Sequence, residues 1–232
     1  MGAQWKVKGK AEAASQRGKL FTKLTREITV SARAGAEPDM NPRLRMAIDA
    51  ARKASMPKDN IERAIKKGSG VGADSVDYEL VTYEGYGPHQ VPVIVECLTD
   101  NKNRTASDVR VAFRTGQLGS SGAVAWTFDY VGMIEATSDG ENDPEEAAIE
   151  AGAQDVEIGE NNEVLFITEP SDLMSVAGEL PNFGIEVQSA KLGYMPKNPV
   201  KLEGDALAEA EAFLEKLEAV DDVQNIYVGL DA

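Results

Sequence analysis

Gly68-Ser69-Gly70-Val71-Gly72 marks the point where the spacing of apolar residues changes along the chain. Before it, Leu20, Leu24 and Ile28 recur every four residues, which is typical of an amphipathic helix. After it, residues 91–98 form a β-branched run of the kind found in buried strands. The glycine content of the stretch itself is typical of a flexible linker. The sequence therefore predicts a helical part, a linker and a part built from strands and helices.

Three helices are predicted before the linker. The first covers residues 17–34. The second begins at Asn41-Pro42, with the asparagine as N-cap and the proline in the first turn. The third opens at Pro57 and ends at Gly68. The second helix is predicted to bury a face of four apolar residues: Leu44, Ala47, Ile48 and Ala51.

The part after the linker alternates between strands and helices. Strands are predicted at 78–83, 91–98 and 123–130, with a helix at 104–114. The order of elements from 133 to 190 is β-α-β-β-α-β, which is typical of a ferredoxin-like domain.

A helix is predicted at 206–219 and a strand at 223–228. These two elements would complete the β-β-α-β set that comes before the ferredoxin-like unit, so that the middle domain would be discontinuous in sequence. We therefore expect fold class α+β, with an N-terminal three-helix domain followed by two ferredoxin-like α+β domains, one inserted in the other. The predicted boundaries are residues 1–75 for the basic helical domain, 76–131 plus 200–232 for the discontinuous α+β domain, and 132–199 for the inserted acidic domain.

Charge is divided unevenly between the two parts of the chain. The 232 residues have a formal net charge of -15. Residues 1–70 hold 16 Lys and Arg against 7 Asp and Glu, a charge of +9, whereas residues 71–232 hold 8 against 32, a charge of -24. Such asymmetry indicates a partner of opposite charge, a polyanion, for the basic part. Because the acidic remainder would repel phosphate, contact should be confined to the basic part. The alternative is that these cations only solvate helix faces.

Nucleic acid is the partner that this charge predicts. Lys and Arg bind backbone phosphates and release counterions, which gives affinity without sequence preference. Arg17 and Asn41 are side chains that could also reach base edges. The predicted nucleic-acid-binding residues are Lys6, Lys8, Lys10, Arg17, Lys19, Lys23, Arg26, Arg43, Arg45, Arg52, Lys53, Lys58, Arg63, Lys66, Lys67, Lys102 and Arg104.

Other kinds of chemistry have little support in the sequence. One histidine, His89, and one cysteine, Cys97, cannot form the usual Cys/His zinc site. Cys97 falls in a run typical of a buried strand, where cysteine is packing rather than a nucleophile. The acidic stretch 139–146 lacks the spacing of a calcium loop, and Asp143 as a helix N-cap explains it. We therefore expect no enzyme activity, cofactor, metal or small-molecule substrate.

The sequence also predicts a compartment. No apolar run approaches the roughly 18 residues that span a bilayer, and the first residues lack the apolar stretch of a secretory signal. A single cysteine forms no internal disulfide, which fits a reducing compartment. We expect a cytoplasmic protein without a membrane partner, and the oligomeric state stays open.

Five blocks of the sequence resemble those of one known family. They are Arg-Gly-Lys-Leu-Phe-Thr-Lys-Leu at 17–24, Asn-Pro-Arg-Leu-Arg at 41–45, Met56 to Gly68, Tyr-Glu-Gly-Tyr-Gly-Pro at 83–88, and Glu-Cys-Leu-Thr-Asp-Asn-Lys-Asn-Arg-Thr at 96–105. Their content and order are similar to those of the YebC/PmpR family over essentially the whole chain. The resemblance implies an N-terminal helical domain and two α+β domains, one interrupting the other.

The resemblance also implies a function. Members of this family are described as probable transcriptional regulators that bind DNA, and relatives, including mitochondrial ones, as translational activators at the ribosome. We therefore expect a DNA-binding transcriptional regulator; the alternative is a ribosome-associated translation factor that binds ribosomal RNA. The chain departs from the family at Gly2-Ala3-Gln4-Trp5, where histidine is usual, at His89-Gln90, where glycines are common, and in a shorter loop near Gly116.

Overall fold

The computed structural model describes residues 10–70 and 78–231, with side chains for 17–70, 78–159 and 161–231. The helices are α1 Lys10–Ser31, α2 Pro42–Lys53, α3 Lys58–Gly68, α4 Lys102–Ala112, α5 Pro144–Ala151, α6 Leu173–Glu179 and α7 Gly204–Glu218. The strands are β1 Glu79–Tyr86, β2 Pro92–Thr99, β3 Gln117–Leu118, β4 Phe128–Ser138, β5 Asp155–Ile158, β6 Glu163–Thr168, β7 Ile185–Pro196, β8 Val200–Lys201, β9 Val223–Val228 and β10 Leu230–Asp231. Helices come first and mainly antiparallel sheets follow, which confirms the predicted α+β class.

The three helices predicted before the linker are present. α1 begins at Lys10, earlier than predicted, and a 3-10 turn over 32–34 follows it. Asn41 caps α2 as predicted, because its side chain accepts a hydrogen bond from the Leu44 amide at 3.1 Å. α3 begins directly after Pro57.

A small apolar core holds the three helices together. It contains the whole predicted face of α2 together with residues of α1, the 3-10 turn after it, the segment before α3, and α3 itself: Ile28, Ala32, Leu44, Ala47, Ile48, Ala51, Met56, Ile61 and Ala64. The alanines let the helices approach closely. At Gly68, a Cβ would overlap the Thr29 carbonyl and lie 2.8 Å from the Ala32 Cβ. The C-terminal end of α3 therefore packs against the C-terminal half of α1.

The first sheet has the strand order β3-β1-β2-β9, and β9 reaches it from near the end of the chain. β1 pairs with β3, and β2 with β9, in antiparallel register. Alternate residues of a strand point to the same face, and Val93, Val95 and Cys97 of β2 pack in one core with Val109 of α4 and Phe213 of α7. This sheet therefore carries two helices on one face.

The second sheet has the strand order β5-β6-β4-β7, with antiparallel pairing throughout. Its elements follow the chain order β4-α5-β5-β6-α6-β7, so the predicted ferredoxin-like arrangement is confirmed. Ile134, Phe166 and Leu180 are fully buried in its core. In sequence, these elements lie between the strands of the first sheet.

The strand predicted over residues 123–130 is present only in its last three residues, which open β4. Residues 125–127 form a 3-10 turn, and β4 begins only after that turn and belongs to the second sheet. The reason is the carboxylate of Glu84, which accepts hydrogen bonds from the amides of Val124 and Ala125, each at 2.9 Å. Amides that donate to a side chain are not available to a neighbouring strand.

Contacts divide the chain into two compact units, Met1–Glu79 with Leu98–Asp100 and Leu80–Cys97 with Asn101–Ala232. The division into three domains, at 1–75, 76–131 plus 200–232, and 132–199, stays a prediction. Its boundary between 131 and 132 falls inside the continuous strand β4.

Candidate nucleic-acid interface

α1 carries a row of predicted cations on one face. Lys19, Lys23 and Arg26 are four and three residues apart, so their side chains leave the helix on the same side. Ile28, on the opposite side, is fully buried. Seven residues of helix rise about 10 Å, so three positive charges lie along that length. Arg17, earlier on α1, is exposed.

The cations of the other two helices also lie at the surface. Arg45, Arg52 and Lys53 are exposed on α2, and Arg63 and Lys66 are exposed on α3. Within residues 17–70, no charged side chain is buried. Burial therefore removes none of the predicted residues of this range from contact with a ligand.

Several of these cations pair with carboxylates of the same helical part. Arg43 donates from Nε and Nη2 to Oε1 of Glu27 at 3.1 and 2.9 Å. The other pairs are Arg45–Asp39 at 3.9 Å, Arg52–Asp49 at 3.3 Å and Lys58–Glu62 at 3.5 Å. These four cationic side chains are 52% to 86% exposed. Exposed pairs contribute about 0–1 kcal/mol each, so a phosphate can compete for these cations.

Three cations meet at Tyr78, the first described residue after the linker. The guanidinium carbon of Arg26 lies 5.8 Å from the ring centroid, and Nζ of Lys67 lies 5.7 Å from it. Both distances are within the range of cation–π attraction. Arg33 donates from Nη1 to the Tyr78 carbonyl oxygen at 2.9 Å. Arg33 and Tyr78 are absent from the predicted set, although Arg33 is one of the 16 basic residues of the helical part and could have been found by charge alone.

Lys102 and Arg104 lie in the first turn of α4, which Asn101 caps by accepting from the Arg104 amide at 3.1 Å. Nη2 of Arg104 donates to both carboxylate oxygens of Asp222, at 3.1 and 2.9 Å. Thr105 Oγ1 donates to the same carboxylate at 2.6 Å. Since the Asp222 side chain is only 2% exposed, this cluster fastens α4 to the turn before β9. Arg104 is therefore a structural residue as well as a predicted phosphate contact.

The remaining predicted residues have other outcomes. Lys6 and Lys8 lie outside the described residues, as does the side chain of Lys10, which opens α1. Asn41 is wrong as a residue that reaches base edges, because it is only 7% exposed. Its Nδ2 donates to the carbonyl oxygens of Ser31 and Gly35 at 2.7 and 2.8 Å, which joins the end of α1 to the start of α2.

The residues that the sequence analysis weighed for zinc, nucleophile and calcium chemistry have other surroundings in the structure. Nε2 of His89 lies 2.9 Å from Oε2 of Glu209, and Cys97 is fully buried. Asp143 caps α5 as predicted, by accepting from the Glu145 amide at 2.9 Å. Across residues 10–70 and 78–231, no group of three or more His, Cys, Asp or Glu could hold a metal ion. In the same ranges, no helix combines the length and the apolar character needed to cross a membrane.

The fold and the surface define a class of protein. It is an α+β protein in which the opening helices carry most of the Lys and Arg residues at the surface, and the rest of the chain has a net negative charge. Two protein-family models match the sequence. The family model described as "TACO1/YebC protein N-terminal domain" matches residues 2–71, and the family model described as "TACO1/YebC second and third domain" matches residues 78–230. The chain therefore belongs to the TACO1/YebC family, which confirms the predicted family.

Relatives match over nearly the full length. A "Probable transcriptional regulatory protein" of Pseudomonas syringae pv. tomato is 59% identical, with 99% of each chain covered. One of Bdellovibrio bacteriovorus is 50% identical, over 98% of this chain and 99% of the relative. Among solved structures, a conserved hypothetical protein from Aquifex aeolicus is 42% identical, with a TM-score of 0.87 over 99% of this chain and 96% of that one.

Proposed function

We propose that this protein is a nucleic-acid-binding regulator of gene expression, and that its partner is DNA. Relatives named probable transcriptional regulatory proteins support the regulatory role. The positive charge of the opening helices supports a polyanionic partner. The proposal includes a cytoplasmic location and action by binding, without catalysis.

The observation that carries the proposal is the exposure of the cations in the helical part. Residues 1–70 have a formal charge of +9, and no charged side chain within 17–70 is buried. The ion pairs that form there are exposed and weak. Phosphates would replace the carboxylates in these pairs and release counterions, which favours binding.

The row on α1 has a length that suits a nucleic-acid backbone. Lys19, Lys23 and Arg26 extend over about 10 Å, and phosphates of one DNA strand follow each other every 3.4 Å or so along the helix axis. The row therefore matches about three phosphates. Lys102 and Arg104 stay in the proposal as additional phosphate contacts.

Ribosomal RNA is the second candidate partner, and the position of Asn41 favours it. Asparagine reads adenine in the DNA major groove through its amide group, but the Asn41 amide is used to join α1 and α2. Recognition then depends more on phosphates, which suits folded RNA as well as duplex DNA. In that case the protein would be a ribosome-associated translation factor.

Fluorescence anisotropy with duplex DNA and with a ribosomal RNA fragment tests the proposal. If about five phosphates are contacted, log affinity for the duplex falls with log salt at a slope of about -4.5. Replacing Arg43, Arg45 and Lys66 by Glu should weaken binding at least about a hundredfold, because three phosphate contacts are lost. The matched control replaces Lys197, Lys201 and Lys216 by Glu, with the same change in net charge. Equal losses in both variants would show that the helical surface is not the binding site.

Crosslinking in cells, followed by sequencing of bound DNA and bound RNA, separates the two partners. Peaks at promoters support the DNA proposal. Enrichment on ribosomal RNA without promoter peaks would overturn it in favour of the second candidate.

A further inference from the structure

We propose that Gly18 is the place where the nucleic acid comes closest to α1, because the missing side chain leaves room for a sugar-phosphate strand against the helix. This inference rests on the proposed function and names a contact site within it. It adds Gly18 and Thr22 to the predicted binding residues, which are all Lys or Arg and were selected by their charge.

Gly18 lies in the interior of α1, which covers Lys10–Ser31. Glycine in a helix interior destabilises the fold relative to alanine, because it loses more backbone freedom on folding. The other glycines of the described helices lie at or next to a helix end: Gly68, Gly178 and Gly204. At position 18, α1 therefore carries a residue that weakens the helix where alanine would strengthen it.

Packing inside the protein does not require glycine at this position. Gly18 is exposed, and apart from its chain neighbours and its own helix backbone, no atom of the described residues would lie within 4 Å of a Cβ there. Gly68 is the opposite case, since a Cβ there would overlap the Thr29 carbonyl. The backbone of Gly18 is helical, so it does not adopt the left-handed conformation that favours glycine. Two reasons remain, which are flexibility of α1 and space for a ligand.

The residues around Gly18 favour space for a phosphate backbone. Thr22 lies one turn further along the same face, and Lys19 borders Thr22 at a spacing of three. All three residues are exposed. Thr22 Oγ1 donates to the Gly18 carbonyl oxygen at 3.0 Å, and because this bond is exposed, the hydroxyl can turn to donate to a phosphate oxygen instead. Threonine hydroxyls and lysines are both common phosphate contacts.

A glycine at the surface of a helix shortens the distance to a strand that crosses it. An α-helix with its side chains is about 10–12 Å across, whereas its Cα atoms lie only about 2.3 Å from the axis. A strand over Gly18 can therefore lie closer to α1 by the depth of a side chain. Because electrostatic attraction rises as the separation falls, the phosphates of that strand would be held more strongly by Lys19.

Gly18→Ala tests the site, because its expected effects on stability and on affinity have opposite signs. Alanine is the better helix former, so the variant should melt about 2–4 °C higher than the wild type. Its Cβ takes up space that the strand needs, so the affinity for duplex DNA should fall about threefold. Circular dichroism during heating and fluorescence anisotropy measure the two effects. A higher melting temperature with unchanged affinity would overturn the proposal.

Gly18→Leu distinguishes space from flexibility. Leucine also favours the helix but is larger, so the melting temperature should not fall and the affinity should drop at least about tenfold. If the glycine served only to make α1 flexible, alanine would have the full effect and leucine would add nothing. Equal losses in the two variants would therefore contradict the proposal.

Gly178 offers the matched control. It is exposed in α6, and by the same measure a Cβ there would have no atom of the described residues within 4 Å. Because α6 lies in the acidic part, which repels phosphate, Gly178→Ala and Gly178→Leu should bind duplex DNA within about twofold of the wild type. If the Gly18 variants bind like these controls, the site is wrong but the proposed function stands. A wild type without salt-dependent binding to duplex DNA or ribosomal RNA would remove the function and the site together.

Discussion

The helical part and the acidic part of the chain use charged side chains in opposite ways. Within residues 17–70 every charged side chain is at least partly exposed, and pairs such as Arg43–Glu27 lie at the surface. In the acidic part, the described residues include two buried carboxylates, Asp222 and Glu84, which are 2% and 8% exposed. Both accept hydrogen bonds from segments far away in the sequence. Buried carboxylates therefore link distant segments in the acidic part, whereas the charged side chains of the helical part lie at the surface.

This difference indicates which charges a ligand can reach. A buried carboxylate loses its hydration and needs donors to offset that loss, and removing it leaves those donors unpaired. An exposed pair exchanges its partners at small cost. Substitutions of charged residues should therefore change the free energy of unfolding in the acidic part and the affinity for a ligand in the helical part.

The largest effect is expected at Asp222. Asp222→Asn should lower the free energy of unfolding by about 2–4 kcal/mol, because Arg104 and Thr105 lose a buried charged acceptor. Asp231→Asn is the matched control, since its pair with Lys201 at 3.2 Å is exposed and should contribute less than about 0.5 kcal/mol. Urea unfolding measures both. Equal values would mean that buried and exposed pairs do not differ in this protein.

A smaller effect, with a defined pH dependence, is expected at Glu84. Glu84→Gln should lower the free energy of unfolding by about 2 kcal/mol, because an NH2 group replaces one of the oxygens that accept from backbone amides. Burial acts to raise the pKa of Glu84, but hydrogen bonds from the amides of Gly122, Val124 and Ala125 together hold its pKa below the ordinary value of 4.5.

A carboxyl whose pKa is lowered by folding stabilises the protein above its unfolded pKa, and this contribution disappears as the pH falls through the folded pKa. The difference in unfolding free energy between the wild type and Glu84→Gln should therefore be full at neutral pH and shrink below pH 4.5. Glu215→Gln, an exposed substitution on α7, serves as the control. A difference that does not change with pH would show that the charge of Glu84 adds nothing to its role as an acceptor.

Local patterns in the sequence predicted much of the fold. The face of α2 and its Asn41 cap are confirmed, because helical periodicity and capping depend only on neighbouring residues. The same patterns predict a strand over 123–130, but that strand does not form at 123–127. It is prevented by Glu84, which lies 40 residues before Val124, and no short-range pattern relates the two.

The candidate site was predictable as a region rather than as a geometry. The charge count separates the basic part from the acidic part, but it cannot show that Arg104 pairs with Asp222, 118 residues further on. It also cannot show that Arg26 and Lys67 share the ring of Tyr78, since that depends on how α3 packs against α1. Long-range packing decides these partners, and periodicity carries no information about it.

The smallest effect on stability is expected at Arg43. This residue gives the strictest test of the difference between the charged residues of the helical part and those of the acidic part. The hydrogen bonds from Arg43 to Glu27 are 3.1 and 2.9 Å long, in good geometry, yet the arginine side chain is 65% exposed. Arg43→Gln should therefore lower the free energy of unfolding by less than about 0.5 kcal/mol, and salt of about 1 M should abolish the difference. Affinity for nucleic acid should still fall several-fold. A stability loss as large as that of Asp222→Asn would mean that the helical part, too, needs its charges to fold, and its cations would then not be free to exchange a carboxylate for a phosphate.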